Sequence, residues 1–196
     1  MACFSGNVRA HVEIGQEGWS RDHLVSQLPP VSTWQREFVI APAPSGLTGA
    51  SLGETHIFVS SKPDTTIVIT QNGAAPVTLY IPEARGKAFI TSLNSFAHVQ
   101  SNKPIQIAQV FGSQQGRDAA ATGDPSMIIY GGINQYSSQP QTTLPPEGHF
   151  GYINRVMIII DRDERTGLRM SRIRSRNLEN NGWVSIPNTN LVARCK

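Results

Sequence analysis

Alternating apolar and polar residues are the strongest signal in this sequence, and they predict β-strands. In NVRAHVEI (7–14) four apolar residues alternate with four polar ones, which is typical of a strand with one face on a core and the other in solvent. The apolar positions of this run are Val8, Ala10, Val12 and Ile14. Further runs have strand composition: EFVIA (37–41), THIFVS (55–60), TTIVITQ (65–71), VTLYI (77–81), KAFIT (87–91), IQIAQVF (105–111), SMIIY (126–130) and RVMIIID (155–161). Because short strands alternate with turn residues and no stretch shows a helical stripe, we predict an all-β fold, a β-sandwich or barrel-like sheet.

Turn residues divide these runs. Asn72-Gly73 separates two of them and predicts a hairpin, since both residues tolerate the positive φ that tight hairpin turns need. Two longer stretches rich in Gly, Ser and Gln, 112–124 and 137–149, predict exposed loops that are available for contacts.

Two segments of the chain share an order of features, which predicts an internal repeat. DHLVSQLPPVSTW (22–34) and DPSMIIYGGINQY (124–136) each contain an Asp, an apolar run, a bend and a final aromatic residue. We interpret the first segment as a capped turn, a bend at Pro29-Pro30 and an anchor at Trp34, which together join two related β units. The expected organisation is one domain over residues 1–196, with approximate sub-units 1–100 and 101–196.

Composition and charge narrow the class of protein. The chain has 196 residues, 39% of them hydrophobic and 16% charged, which excludes a disordered or collagen-like chain. The net charge of +3 does not by itself imply a nucleic-acid partner. No apolar stretch approaches the roughly 20 residues of a membrane helix, so we expect no membrane insertion. No signal peptide is visible, and the first residues read like the middle of a strand, so we expect a fragment of a longer protein.

The cysteines and histidines define no metal centre. Cys3 and Cys195 lie near opposite ends of the chain, and they either form a disulfide or are two ordinary thiols. The five histidines are scattered singly, without metal-ligand spacing. We therefore expect neither a metal nor a cofactor.

Several separated pieces of the sequence resemble the N-terminal domain of the IgGFc-binding protein family. In chain order they are FSGN, DHLVSQLPPVSTWQREFVIAP, KPDTTIVI, SNKPIQIAQVF, GDPSMIIYGGINQY and VMIIIDRDERTGLRMSRIRSRNLENNGWVSIP. The resemblance covers nearly the whole chain. The sequence departs from the family pattern at Gln35, at Gly131-Gly132 and in the unusually basic GLRMSRIRSRN. These departures bear on the ligand surface more than on the fold.

The resemblance implies a function without catalysis. Members of the family are large secreted proteins of mucus and extracellular matrix, so the expected function is an extracellular structural or binding module in mucus, matrix or adhesive secretions. Its expected partners are other proteins or glycoproteins of these secretions, in a role akin to cell adhesion. Nothing in the sequence marks an immunoglobulin-binding surface.

A basic strip offers a first alternative function. The segment Arg165–Arg176 could grip sulfated glycans, because clustered guanidinium groups attract polyanions. Its candidate contact residues are Arg169, Arg172, Arg174 and Arg176. The competing interpretation is the solvated face of an edge strand, where charge discourages aggregation.

Asp22 and His23 offer a second alternative, a hydrolase with a Ser from another loop. Such an enzyme needs a carboxylate that orients the histidine, yet adjacent residues on an extended backbone point to opposite faces. The competing interpretation is that Asp22 caps a turn, and we expect the binding surface on the loops instead.

Overall fold

A computed structural model of the chain describes residues 2–12, 21–42, 53–91, 93–112, 126–136, 174–176 and 183–185. The chain divides into two compact units, 1–156 and 157–196. The strands of the first unit are β1 (Cys3–Ala10), β2 (Asp22–Leu28), β3 (Gln35–Ile40), β4 (Glu54–Ser60), β5 (Thr65–Gln71), β6 (Val77–Ile81), β7 (Lys87–Thr91), β8 (Ala97–Phe111) and β9 (Met127–Tyr130). Two 3-10 helices accompany them, η1 (Val31–Thr33) and η2 (Ile133–Gln135). In the second unit, β10 (Arg174–Arg176) pairs antiparallel with β11 (Trp183–Ser185).

Strand β8 organises the first unit. It is 15 residues long and pairs with four other strands, which is why one strand can hold a seven-stranded sheet together. Its residues 97–101 pair with β5 and its residues 105–111 pair with β4. On its other edge, β3 pairs with residues 97–100 and 105, and β9 pairs with residues 107–110. The sheet is therefore nearly closed and barrel-like, which confirms the predicted all-β class.

The interior of this sheet is the hydrophobic core. Alternate residues of β4, β5 and β8 are buried, as expected for strands with one face turned inward. Burying one such side chain completely stabilises the fold by about 1.5–3 kcal/mol. The core includes Phe38, Ile40, Phe58, Ile67, Ile69, Ile81, Val99, Ile105 and Ile107.

The β5–β6 connection confirms the predicted hairpin with a different turn. Gly73 has a φ of 76°, while Asn72 keeps a negative φ. Five residues, 72–76, separate the strands instead of two. The amide of Ala74 donates to the carbonyl of Gln71 at 3.3 Å, and only glycine takes the left-handed conformation at this turn.

The strand β1 corrects the prediction of a core face in run 7–14. It covers residues 3–10 and pairs with β2 from Cys3↔Leu28 to Ala10↔Asp22. Val8 is 77% exposed, whereas Ala10 is buried. The alternation predicted a strand correctly, but this two-stranded sheet does not bury the outward side of β1, because period-2 patterning does not say what covers each face.

The internal repeat is not confirmed. Strand β8 runs continuously across residue 100, and the predicted sub-units 1–100 and 101–196 stay a prediction. What the structure does show is a local likeness: β2 and β9 each lead through a dipeptide into a 3-10 helix that ends at an aromatic residue, Trp34 or Tyr136.

Candidate functional site

A surface groove of about 500 Å³ lies where β2 and β9 end. Its size falls within the range of small-ligand and peptide sites. It is lined by Ser26, Gln27, Pro29, Pro30, Gln106, Ile129, Tyr130, Gly131 and Gln135. One wall of the groove is formed by residues of segment 22–34. The other wall is formed by residues of segment 124–136, the second member of the predicted repeat.

The first wall is held by the η1 turn. Pro30 adopts φ −57° and ψ 145°, and its carbonyl accepts from both the amide (2.9 Å) and the hydroxyl (2.8 Å) of Thr33. The indole N–H of Trp34 donates to the carbonyl of Pro29 at 3.3 Å. These bonds confirm the predicted bend and aromatic anchor, and they fix the proline side of the groove.

The second wall repeats this turn with glycines. Gly132 adopts φ −72° and ψ 164°, and its carbonyl accepts from the amide of Gln135 at 2.8 Å. The side-chain oxygen of Gln135 accepts in return from the amide of Gly132, also at 2.8 Å. The Gln135 side chain therefore closes its own turn.

Hydrogen bonds tie the two walls together. The side-chain amides of Gln35 and Gln135 both donate to the carbonyl of Thr33, at 3.1 and 3.0 Å. A Cβ placed on Gly132 would lie 2.4 Å from the Cβ of Gln35, which is far closer than real contacts allow. Glycine is thus required here by the close approach of the β3 strand.

The groove is uncharged, and most of its amides are already engaged. Gln106 donates to the carbonyls of Tyr130 (2.7 Å) and Ile107 (3.2 Å). The Gln27 side chain is exposed and has no hydrogen-bond partner among the described residues. A ligand would therefore meet Gln27, the hydroxyl of Ser26 and the backbone, but no formal charge.

Tyr130 connects the groove to the interior of the sheet. Its hydroxyl donates to the side-chain oxygen of Gln109 at 2.7 Å and accepts from the amide of Ala41 at 3.2 Å. Gln109 in turn donates to the carbonyl of Ala41 at 2.9 Å. Burial raises the pKa of Tyr130 to about 12, so its hydroxyl stays protonated and serves as a structural donor.

His56 lies in the same buried cluster. It is fully buried, directly opposite Gln109 in the β4–β8 register, with its ring centroid 6.1 Å from that of Tyr130. Neither ring nitrogen has a hydrogen-bond partner among the described residues. Burial lowers the pKa of His56 to about 4, and the backbone of Ala41 raises it only in part. Two residues before it, the buried Glu54 accepts from the amide of Leu93 at 2.7 Å.

Comparison with known proteins places this β-fold in a family. A family model described as IgGFc binding protein matches residues 1–194. The chain belongs to the IgGFc-binding family. No curated protein and no solved structure matches it. Domains of the IgGFc-binding family are non-enzymatic binding domains of proteins that are typically secreted. The resemblance found in the sequence is confirmed over nearly the whole chain.

The structure places the predicted hydrolase pair on a strand. Asp22 and His23 are consecutive residues of β2, and the His23 side chain is exposed. They lie at the start of β2, whereas the groove contacts its last residues, Ser26 and Gln27. The pair therefore does not line the groove of this IgGFc-binding domain.

The arginine strip is described only in part. Arg174 and Arg176 belong to β10, so the predicted strand exists at these positions, paired with Ser185 and Trp183. Arg165, Arg169 and Arg172 lie outside the described residues, and the polyanion contact stays a prediction.

The predicted disulfide between Cys3 and Cys195 also stays a prediction. Cys3 is exposed on β1, while Cys195 lies outside the described residues. Over the part of the chain that the structure describes, no group of three or more potential ligands could hold a metal ion. The same residues contain no helix with the length and apolarity of a membrane span.

Sequence reasoning did not identify the groove as such. Its wall residues Gln106, Tyr130 and Gln135 form no recognisable chemical motif in the sequence, because their side chains bond to groups that are distant along the chain. The likeness between segments 22–34 and 124–136 was the available signal, since the groove lies between the two parts that match best.

Proposed function

We propose that this IgGFc-binding domain is a non-catalytic extracellular module that binds proteins or glycoproteins of mucus, matrix or adhesive secretions. The groove at the ends of β2 and β9 is its ligand site. The observation that carries the proposal is an uncharged groove with preorganised walls in a member of a non-enzymatic binding family. The two residues expected of a hydrolase, Asp22 and His23, are not among the residues that line it.

Binding to purified secreted glycoproteins tests the proposal. The immobilised chain should bind purified mucin or a fibrillar matrix glycoprotein saturably, as measured by surface plasmon resonance. The ligand should be recovered with unchanged mass, because no turnover is expected. Absence of saturable binding to any of them, or cleavage of the ligand that is lost in His23→Ala, would contradict the proposal.

A second function is favoured by the strand at Arg174–Arg176. The basic residues Arg169, Arg172, Arg174 and Arg176 would then bind sulfated glycans, and the presence of β10 supports a regular spacing of two of them. Retention on a heparin column should fall with salt and be lost in the double variant Arg172→Glu/Arg174→Glu. The charge-matched control is Arg9→Glu/Arg36→Glu, two exposed arginines of the first unit. Equal loss of retention in both double variants would show an effect of net charge alone.

A further inference from the structure

A buried histidine lies behind the wall of the groove that contains its glycines. This glycine wall comprises residues 130–135, and its first residue, Tyr130, has its ring centroid 6.1 Å from that of His56. His56 is fully buried, and neither of its ring nitrogens has a hydrogen-bond partner among the described residues. Buried polar atoms are almost always paired, because an unpaired one costs free energy. A histidine that is buried without partners is therefore a candidate for a functional role.

The groups that face His56 from the neighbouring strands do not compensate a positive charge. Its partners in the two β4 ladders are Ile90 of β7 and Gln109 of β8, and both are uncharged. On the side of β9 the ring meets Tyr130, and Tyr136 lies close to Tyr130. Both are phenols, which carry no charge in acid. A protonated His56 would therefore have lost its hydration without gaining an opposite charge.

The carboxylate of Glu54 does not act as a counter-ion either. Glu54 is buried on the inner face of β4, two residues before His56, and it accepts from the amide of Leu93 at 2.7 Å. It makes no hydrogen bond to the ring. Burial lowers the pKa of His56 to about 4, and only the backbone of Ala41 acts in the opposite direction. The closed site thus favours the neutral imidazole.

Protonation of His56 competes for the bonds that hold Tyr130. An imidazolium has two N–H donors, and charged donors form stronger hydrogen bonds than neutral ones. The backbone of Ala41 raises the pKa of His56, as a carbonyl acceptor does, yet this carbonyl already accepts from Gln109 at 2.9 Å. The side-chain oxygen of Gln109 in turn accepts from the hydroxyl of Tyr130 at 2.7 Å. A proton on His56 therefore displaces Gln109 from Ala41, and Tyr130 loses its acceptor.

Strand β9 is the element that yields to this change. It has only four residues, whereas β4, which carries His56, has seven and pairs with both β7 and β8. Tyr130 is the last residue of β9 and directly precedes Gly131 and Gly132. A displacement of Tyr130 is therefore passed on to the glycine wall.

We propose that protonation of His56 opens the glycine wall and releases the ligand of the groove, so that the domain binds at neutral pH and dissociates in acid. Histidine is the side chain suited to such a switch, because its charge changes in this pH range. The opened wall admits water to the ring, so its pKa there returns towards 6.5, against about 4 in the closed wall. The ratio of open to closed chains therefore rises as the pH falls from 6.5 to 4, by up to about 300-fold. The proposal rests on the proposed function of the groove as a ligand site and specifies how binding there is regulated.

An NMR titration of the unmodified chain tests the switch without a ligand. The Cε1–H signal of His56 reports its protonation, and the amide signals of Gly131 and Gly132 report the state of the wall. We expect both sets of signals to change reversibly with one midpoint, between the pKa values of the closed and the opened site. The amides of β5 should keep their shifts over the same range. Midpoints that differ by more than about 0.5 pH unit, or wall amides that do not change, would overturn the proposal.

Two variants separate His56 from the carboxylate beside it. His56→Gln has no group to protonate, so its wall amides should not respond in this pH range. Glu54→Gln removes the carboxylate but keeps an oxygen for the amide of Leu93, and it should respond like the unmodified chain. A response that persists in His56→Gln and is lost in Glu54→Gln would assign the effect to the carboxylate and overturn the proposal. If His56→Gln does not fold, the coincidence of midpoints in the unmodified chain decides.

Binding measurements separate the switch from the proposed function. Purified mucin and a fibrillar matrix glycoprotein are immobilised for surface plasmon resonance at neutral pH and at about pH 4.5, midway in the titration window. For the glycoprotein that binds, the Kd of the unmodified chain should rise at least about tenfold in acid, and that of His56→Gln less than about twofold. An unchanged Kd, or an equal rise in both chains, would overturn acid release and leave the proposed function standing. Absence of binding at neutral pH would contradict the proposed function, whereas the NMR titration still decides whether His56 opens the wall.

Discussion

The two walls of the groove reach the same backbone shape through opposite residue types. Pro30 and Gly132 both precede a 3-10 turn, with φ of −57° and −72° and ψ of 145° and 164°. For Pro30 the ring itself sets φ, so the conformation is decided locally. Gly132 has no need of a positive φ, and glycine is required because Gln35 of β3 lies against it. One turn is thus specified by its own residue and the other by a distant strand.

The walls also differ in what lies behind them. Trp34 anchors the proline wall through a single bond of 3.3 Å to Pro29. The glycine wall follows Tyr130, whose hydroxyl belongs to a buried network with Ala41 and Gln109. The glycine wall should therefore respond to changes in the core, while the proline wall should not.

Lowering the pH should produce the largest difference in stability between the two walls. His56 stays neutral in the folded chain because its pKa is about 4, against 6.5 in the unfolded chain. Between these pH values the unfolded state binds more protons, so the stability decreases as the pH falls from 6.5 to 4 and the histidine has no effect above that window. The free energy of unfolding should fall by about 3 kcal/mol across the window. Urea denaturation at a series of pH values measures it.

Substitution of His56 isolates its contribution to the pH dependence of the free energy of unfolding. His56→Leu should flatten this pH dependence, because leucine has no ionisable group to protonate in the unfolded chain. Hydrogen exchange at pH 4.5 should show loss of amide protection in β9 before β2. As a control, Thr78→Val on the exposed β6 strand changes no ionisable group and should keep the pH dependence. An unchanged slope in His56→Leu would remove the buried histidine as its cause.

The glycine wall should also be the more sensitive to a single methyl group. Gly132→Ala places a Cβ 2.4 Å from Gln35 Cβ and 3.1 Å from the carbonyl oxygen of Glu37. Overpacking of this kind should lower the free energy of unfolding by about 2 kcal/mol, as measured by chemical denaturation. Adding Gln35→Gly should recover part of the loss, since it removes the nearest atom. Equal stability of Gly132→Ala and the unmodified chain would mean that β3 yields at this point.

Much of the sheet was predictable from local patterns. β5, β6 and β7 have the bounds that their apolar runs predicted, because each borders a turn residue, Asn72, Pro82 or Gly86. β8 was predicted only from residue 105, yet it begins at Ala97. The SNKP sequence before residue 105 reads as a turn, but Pro104 lies in the stretch 102–104 where neither β4 nor β5 pairs with β8, so its missing N–H is tolerated there.

The site was predictable only in outline. The matching segments 22–34 and 124–136 were visible, as was the bend at Pro29-Pro30. The contact between Gly132 and Gln35 was not, because it joins residues almost 100 positions apart. In THIFVS, the alternation could have placed His56 on the inner face with Phe58, but not the lack of hydrogen-bond partners around it.

Removal of the hydrogen-bonding group from the anchor of each wall should sharpen the contrast. Tyr130→Phe leaves the amide of Ala41 without its acceptor and Gln109 without its donor in a buried place. We expect a loss of about 1.5 kcal/mol in the free energy of unfolding. Trp34→Phe removes only a long, part-buried bond and should cost less, about 1 kcal/mol. Thermal denaturation of the two variants at pH 7 compares their losses of stability. A larger loss in Trp34→Phe would contradict our conclusion that the glycine wall is the one linked to the core.

The smallest effect should come from the proline wall itself. In Pro30→Ala the turn keeps its bonds, because the carbonyl of residue 30 still accepts from the amide and hydroxyl of Thr33. What changes is the unfolded chain, which gains conformational freedom worth about 0.5 kcal/mol. Chemical denaturation should show this small loss at an unchanged m-value. A loss as large as that of Gly132→Ala would mean that Pro30, too, is specified by tertiary contacts, and the two walls would no longer differ in kind.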